Sequence, residues 1–93
     1  MTTSHSPLRV LKAQADKIAK TIKAAERGDQ VDARFAEKIA TARRDNVGIK
    51  VGVVMDDKTI VLELPWETIR TTSEVGLAEY VLKLMRDARD QVH

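Results

Sequence analysis

The stretch that decides the fold is Val47-Gly48-Ile49-Lys50-Val51-Gly52-Val53-Val54-Met55-Asp56-Asp57-Lys58-Thr59-Ile60-Val61-Leu62-Glu63-Leu64. Val47, Ile49, Val51, Val53 and Met55 alternate with Gly48, Lys50, Gly52 and Val54, the period of two expected of a strand with one face buried. Asp56-Asp57-Lys58-Thr59 has the composition of a turn, and Ile60-Val61-Leu62-Glu63-Leu64 resumes a strand. This predicts strands over 47–55 and 59–64 joined as a hairpin. Pairing Met55 with Ile60 sets Val53 against Leu62 and Val51 against Leu64, so that all six share one face. The opposite face then holds Lys50, Gly52, Val54, Val61 and Glu63, with Val54 beside Val61.

Upstream the period is that of a helix. Ser6-Pro7 supplies an N-cap and a first helical residue whose missing N–H costs nothing there. Leu8, Leu11, Ala15, Ile18, Ile22 and Ala25 then recur every three or four residues, predicting a helix over 7–27 behind a flexible tail, 1–6. Gly28 suits the left-handed residue that closes it. Asp29 is placed as the N-cap of a second helix, 29–45, with Asp32 adding negative charge to its first turn. Val31, Phe35, Ile39 and Ala42 form its apolar face. So short a connection implies a helical hairpin, and alanines at 15, 25, 36, 40 and 42 would let its two helices approach closely.

Downstream, Pro65-Trp66 ends the second strand and residues 68–72 form a connector. Thr71 with Glu74 fits a capping box, and Thr72 or Ser73 serves equally as the N-cap of a last helix over 73–91. Leu77, Ala78, Val81, Leu82, Leu84, Met85, Ala88 and Val92 make an arc broad enough to touch more than one neighbour. The predicted fold is therefore a small single α+β domain, residues 1–93, of order ααββα. Its helical hairpin and C-terminal helix pack on one face of an antiparallel β-hairpin.

With 93 residues, 43% hydrophobic and 32% charged, the chain has room for one soluble core and too much apolar content for disorder. One Trp, one Tyr and one Phe leave that core to aliphatic side chains. The absence of cysteine excludes disulfides, thiolate nucleophiles and zinc knuckles. Apolar runs are too short for a bilayer, and Met1-Thr2-Thr3-Ser4-His5-Ser6 lacks the apolar segment of a signal peptide, which predicts a cytoplasmic protein.

Catalytic constellations are not found. His5 and His93 lie in the tails, where nothing fixes their geometry. Gly48-Ile49-Lys50-Val51-Gly52 sits inside a strand with the wrong spacing for a phosphate loop. These glycines flank Lys50 and are read as a bulge or twist rather than as a close approach from another element. Asp56-Asp57 falls short of a calcium cage and is read as turn chemistry. The expectation is a protein that is not an enzyme, with no metal and no cofactor.

Binding features remain. Residues 1–50 contain 11 Lys+Arg and 6 Asp+Glu, net +5, whereas residues 51–93 contain 5 and 8, net −3, giving the chain's +2. Arg9, Lys12, Lys20, Lys23 and Arg27 fall on the first helix away from its apolar stripe, long enough to track several phosphates. A winged helix-turn-helix fits poorly, because the wing tip would be Asp56-Asp57. Single-strand binding lacks a platform of exposed aromatics. Trp66, on the Ile60/Leu62/Leu64 side of the strand, is read first as a core lid, and Tyr80 borders the last helix's arc. If they share a surface, they would form its hot spot. A lone hairpin leaves open edges, to be covered by a helix or joined to a second copy as a four-stranded sheet.

These residues predict an accessory, adaptor or inhibitor module that binds a protein partner. Its predicted contacts are Arg9, Lys12, Lys20, Lys23, Arg27, Trp66 and Tyr80. Nucleic-acid backbone binding through the basic helix is the alternative, and a self-associating structural protein a third reading; a symmetric homodimer is the expected assembly. No membrane and no small-molecule substrate is implied.

Overall fold

The structure, a computed structural model, describes residues 8–55 and 57–91. The Ser6-Pro7 cap, both histidines, Asp56 and Val92 lie outside the described residues. The chain forms α1 (Leu8–Arg27), α2 (Ala33–Asp45), β1 (Ile49–Met55), β2 (Lys58–Leu64), α3 (Trp66–Thr71) and α4 (Glu74–Gln91). This is the small α+β domain of order ααββα, with one short helix added before the last.

The helix ends follow from local chemistry. Gly28, at φ +87°, closes α1: its N–H reaches Ala25 O at 3.1 Å and the Asp29 N–H reaches Ala24 O at 2.9 Å. That pair of bonds is a Schellman motif. The second helix begins four residues later than the sequence predicts. Its N-cap is Asp32, whose Oδ1 accepts from the Arg34 N–H at 2.8 Å, and not Asp29, which Arg27 holds through its guanidinium at 3.0 Å. Residues 28–32 are a true connection, and Val31 dips from it toward the core. Asn46, at φ 55°, provides the left-handed cap of α2. Of the N-caps open for α4, Ser73 is used, its Oγ accepting from the Gly76 N–H at 3.1 Å.

The hairpin forms with the predicted faces but a tighter register. Met55 pairs with Lys58, Val53 with Ile60, Val51 with Leu62 and Ile49 with Leu64, two residues offset from the expected pairing. Lys58 and Thr59 therefore belong to β2, and Asp57 takes φ 66° in the turn. A shift of two preserves which side chains point inward, so Ile49, Val51, Val53, Met55, Leu62 and Leu64 are buried. Val54 now faces Thr59, and Val61 faces Gly52. Val47 and Gly48 precede β1 rather than opening it. At Gly48 the close approach is real and comes from the hairpin itself: a Cβ there would stand 2.9 Å from the Leu64 carbonyl oxygen. At Gly52 a Cβ would meet only the Thr59 methyl, at an ordinary contact distance of 3.8 Å.

Helices cover the inner face of the sheet and leave the outer face to solvent. α1 packs chiefly along α4 and less on α2, so the helical hairpin is the minor of its two helix contacts. Leu11, Ala15, Ala19 and Ile22 from α1 are buried, as are Leu77, Ala78, Val81 and Met85 from α4. Ala36 and Ala40, expected to ease the α1–α2 approach, are exposed. Residues 68–72 are not the plain connector predicted: α3 begins on Pro65 and buries Trp66 and Ile69 beside the hairpin's end.

Candidate interaction surface

Lys12, Asp16 and Lys20 stand four residues apart and so form one row along α1. Where α4 begins, this row becomes one wall of a groove of about 610 Å³ lined by Lys12, Asp16, Lys17, Lys20, Glu74, Val75, Ala78, Glu79 and Leu82. Lysines stand on the α1 side and glutamates on the α4 side, with the apolar atoms of Val75, Ala78 and Leu82 among them. Val75 is 72% exposed. Lys12 approaches Asp16 at 3.5 Å with both side chains more than half exposed, a pair worth little and easily exchanged for another.

The predicted contact residues divide. Arg9, Lys12 and Lys20 are exposed on α1, and Lys12 and Lys20 line the groove. Lys23 does not share that surface. Its side chain is only 13% exposed, and Nζ lies 2.5 Å from Glu26 Oε1 and donates to Ile69 O at 2.9 Å. The helical row that carries Lys12 and Lys20 runs into α3 at this end. Arg27 is paired with Asp29 at 3.0 Å, beside the helix terminus.

Trp66 is 7% exposed, which makes it the core lid and not a free binding anchor. Its ring carries the Arg43 guanidinium at 5.5 Å, and Arg43 Nη2 also donates to Glu26 O at 2.7 Å. Tyr80 is half-buried and packs against the core. The groove does not contain either aromatic.

Sequence reasoning missed Lys17, Glu74, Val75 and Glu79. The row from Lys12 to Lys20 was visible in the spacing, but the partner wall depends on how α4 lies across α1. No helix among the described residues is long and apolar enough to cross a membrane, and no group of three His, Cys, Asp or Glu is placed to hold a metal. Comparison with models of protein families, with curated proteins and with solved structures finds no match to this chain.

Proposed function

We propose that this chain is a non-enzymatic interaction module that receives a protein partner in the α1–α4 groove. The observation that carries the reading is an apolar strip of Val75, Ala78 and Leu82 lying between Lys12, Lys17 and Lys20 on one side and Glu74 and Glu79 on the other. Its complement is an amphipathic segment of another protein, apolar side down, with acidic residues toward α1 and basic residues toward α4.

The charge balance favours protein over nucleic acid. Lys12, Lys17 and Lys20 are matched in the lining by Asp16, Glu74 and Glu79, so a phosphate backbone would meet as many carboxylates as ammonium groups. The non-enzymatic reading is supported by the same side chains. They are long, solvated and loosely paired, the opposite of the fixed geometry that proton transfer or nucleophilic attack requires. A cysteine-free chain also suits the reducing cytoplasm, the setting proposed for it.

The test is affinity capture from the native cell with the unaltered chain and with Lys12→Glu/Lys20→Glu. A protein recovered with the first and lost with the second supports the reading. Recovery of nucleic acid, with affinity falling steeply as salt rises, would replace it with the alternative.

A further inference from the structure

The two edges of the hairpin are not equivalent. Lys38 Nζ on α2 donates to Lys50 O at 2.7 Å, and Gln14 Nε2 on α1 makes a longer contact of 3.5 Å with Val54 O. Both carbonyls therefore point away from β2, out of the free edge of β1. That fixes the phase of the ladder: Lys50 and Glu63, and Val54 and Thr59, are pairs that exchange no backbone hydrogen bonds. By alternation Gly52 and Val61 are a third such pair. On β2 the N–H and C=O groups of Thr59, Val61 and Glu63 must then face outward, along the opposite edge. Among the described residues no backbone group of another element bonds there. Along this edge Glu63 is the one outward charge and Lys58 opens the strand on the other face, while no Pro or bulge interrupts Thr59 to Glu63.

We propose that β2 pairs antiparallel with β2 of a second copy about a two-fold axis at Val61, forming a four-stranded sheet. This register joins Val61 to its own copy and each Thr59 to the other copy's Glu63, so all three outward residues bond. Shifting it by two residues one way brings Pro65, which has no N–H, into the ladder opposite Thr59. Shifting it the other way sets Asp57 opposite Glu63, like charges that repel.

Charge placement is compatible with the same register, which brings no like charges together. On the outer face, the rows of the joined sheet read Lys50–Glu63–Thr59–Val54 and Gly52–Val61–Val61–Gly52. Each Glu63 stands between a lysine of its own chain and a threonine of the other. The two Glu63 residues are four positions apart along the strands, roughly 14 Å at about 3.4 Å per residue. That exceeds the screening length of about 8 Å at physiological salt. Val61, 62% exposed in one chain, meets its own copy at the centre of the joined strands.

The test uses the full chain in analytical ultracentrifugation over a dilution series. The expected result is a two-chain mass at high concentration that falls to one chain on dilution. Val61→Pro removes one outward N–H without touching the β1 ladder and is expected to weaken association more than about tenfold with an unchanged circular dichroism spectrum. Should that variant unfold, Val61→Lys serves the same purpose on a native backbone. Because the chain has no cysteine, Val61→Cys is expected to give a disulfide-linked dimer under mild oxidation, with Val75→Cys as the exposed control. One-chain mass at every concentration, or Val61→Cys linking no faster than Val75→Cys, would overturn the proposal. The groove reading is tested separately, because Lys12→Glu/Lys20→Glu leaves this edge intact and should not change the dimer mass.

Discussion

The ammonium group of Lys23 donates to the carbonyl of Ile69 at 2.9 Å, tying α1 to α3 across 46 positions of sequence. The same ammonium group meets Glu26, whose own carbonyl accepts from Arg43 on α2, and Arg43 lies over the Trp66 ring. One cluster of polar side chains thus joins α1, α2 and α3 at the end of the domain remote from the hairpin turn. Lys23 is a brace in this fold.

Lys23→Met keeps the aliphatic stem and removes the ammonium group. It should cost about 1–2 kcal/mol, the value of a mostly buried, charge-assisted bond, and lower Tm by several degrees. Lys20→Met, on the exposed part of the same row, should move Tm by no more than about 2–4 °C, because surface changes of this kind fall within about ±0.5 kcal/mol. Thermal unfolding by circular dichroism compares them, and equal losses would remove the brace. The contrast also governs how partner binding is probed, since reversing Lys23 would damage the fold and imitate a lost contact.

Asp32 and Asp29 offer a second paired comparison. Asp32→Ala removes the side chain that accepts from Arg34 N–H and should destabilise by about 1 kcal/mol. Asp29→Ala loses only an exposed ion pair with Arg27 and should cost about 0.5 kcal/mol or less. Urea titrations measure both, and the reverse order would move the start of α2 back to the sequence expectation.

The elements themselves were legible because their periods are strong. The stripe from Leu11 to Ala25 and the alternation from Ile49 to Met55 each repeat often enough to fix element type and inward face. The register was not legible, since the tight turn requires Asp57 at positive φ and Asp-Asp carries no Asn-Gly signature for it. Nor was α3, whose Thr68, Ile69 and Thr71 are β-branched and whose six residues are too few to show a helical period. The start of α2 was misplaced because both Asp29 and Asp32 are good caps. What separates them is Arg27, which engages the first, and Val31, which must reach the core. Half of the groove was visible as the Lys12–Lys20 row. Its other half, like the role of Lys23, depends on contacts between residues far apart in sequence, and these leave no periodic trace.

The glycines of the hairpin predict opposite signs. Gly48→Ala places a Cβ 2.9 Å from a backbone oxygen that cannot rotate away, and should cost about 1–3 kcal/mol. Gly52→Ala meets only the Thr59 methyl at 3.8 Å and should stabilise by about 0.5–1 kcal/mol through reduced freedom of the unfolded chain. Chemical denaturation midpoints of the two variants moving in the same direction would contradict this account of the strand.

Leu64 is fully buried where the hairpin ends against α3 and α4. Leu64→Ala should cost about 2–5 kcal/mol from lost transfer energy and the cavity left behind. That is a large share of the roughly 5–15 kcal/mol holding a domain together, so the variant should be partly unfolded at 37 °C by circular dichroism. A midpoint shift below about 1 kcal/mol would place this residue outside the core.

In the proposed function the α1–α4 groove receives a protein segment. Its most direct measurement is site-specific photo-crosslinking in the native cell from position 75, whose valine is exposed among the groove's charged residues. Position 44 on the outer side of α2 serves as the control. One dominant adduct is expected from position 75, absent at position 44 and abolished by Lys12→Glu/Lys20→Glu. The linked peptide should carry apolar residues with acidic and basic residues on opposite sides. Equal adducts from both positions, or an adduct from position 75 that survives the charge reversal, would contradict it.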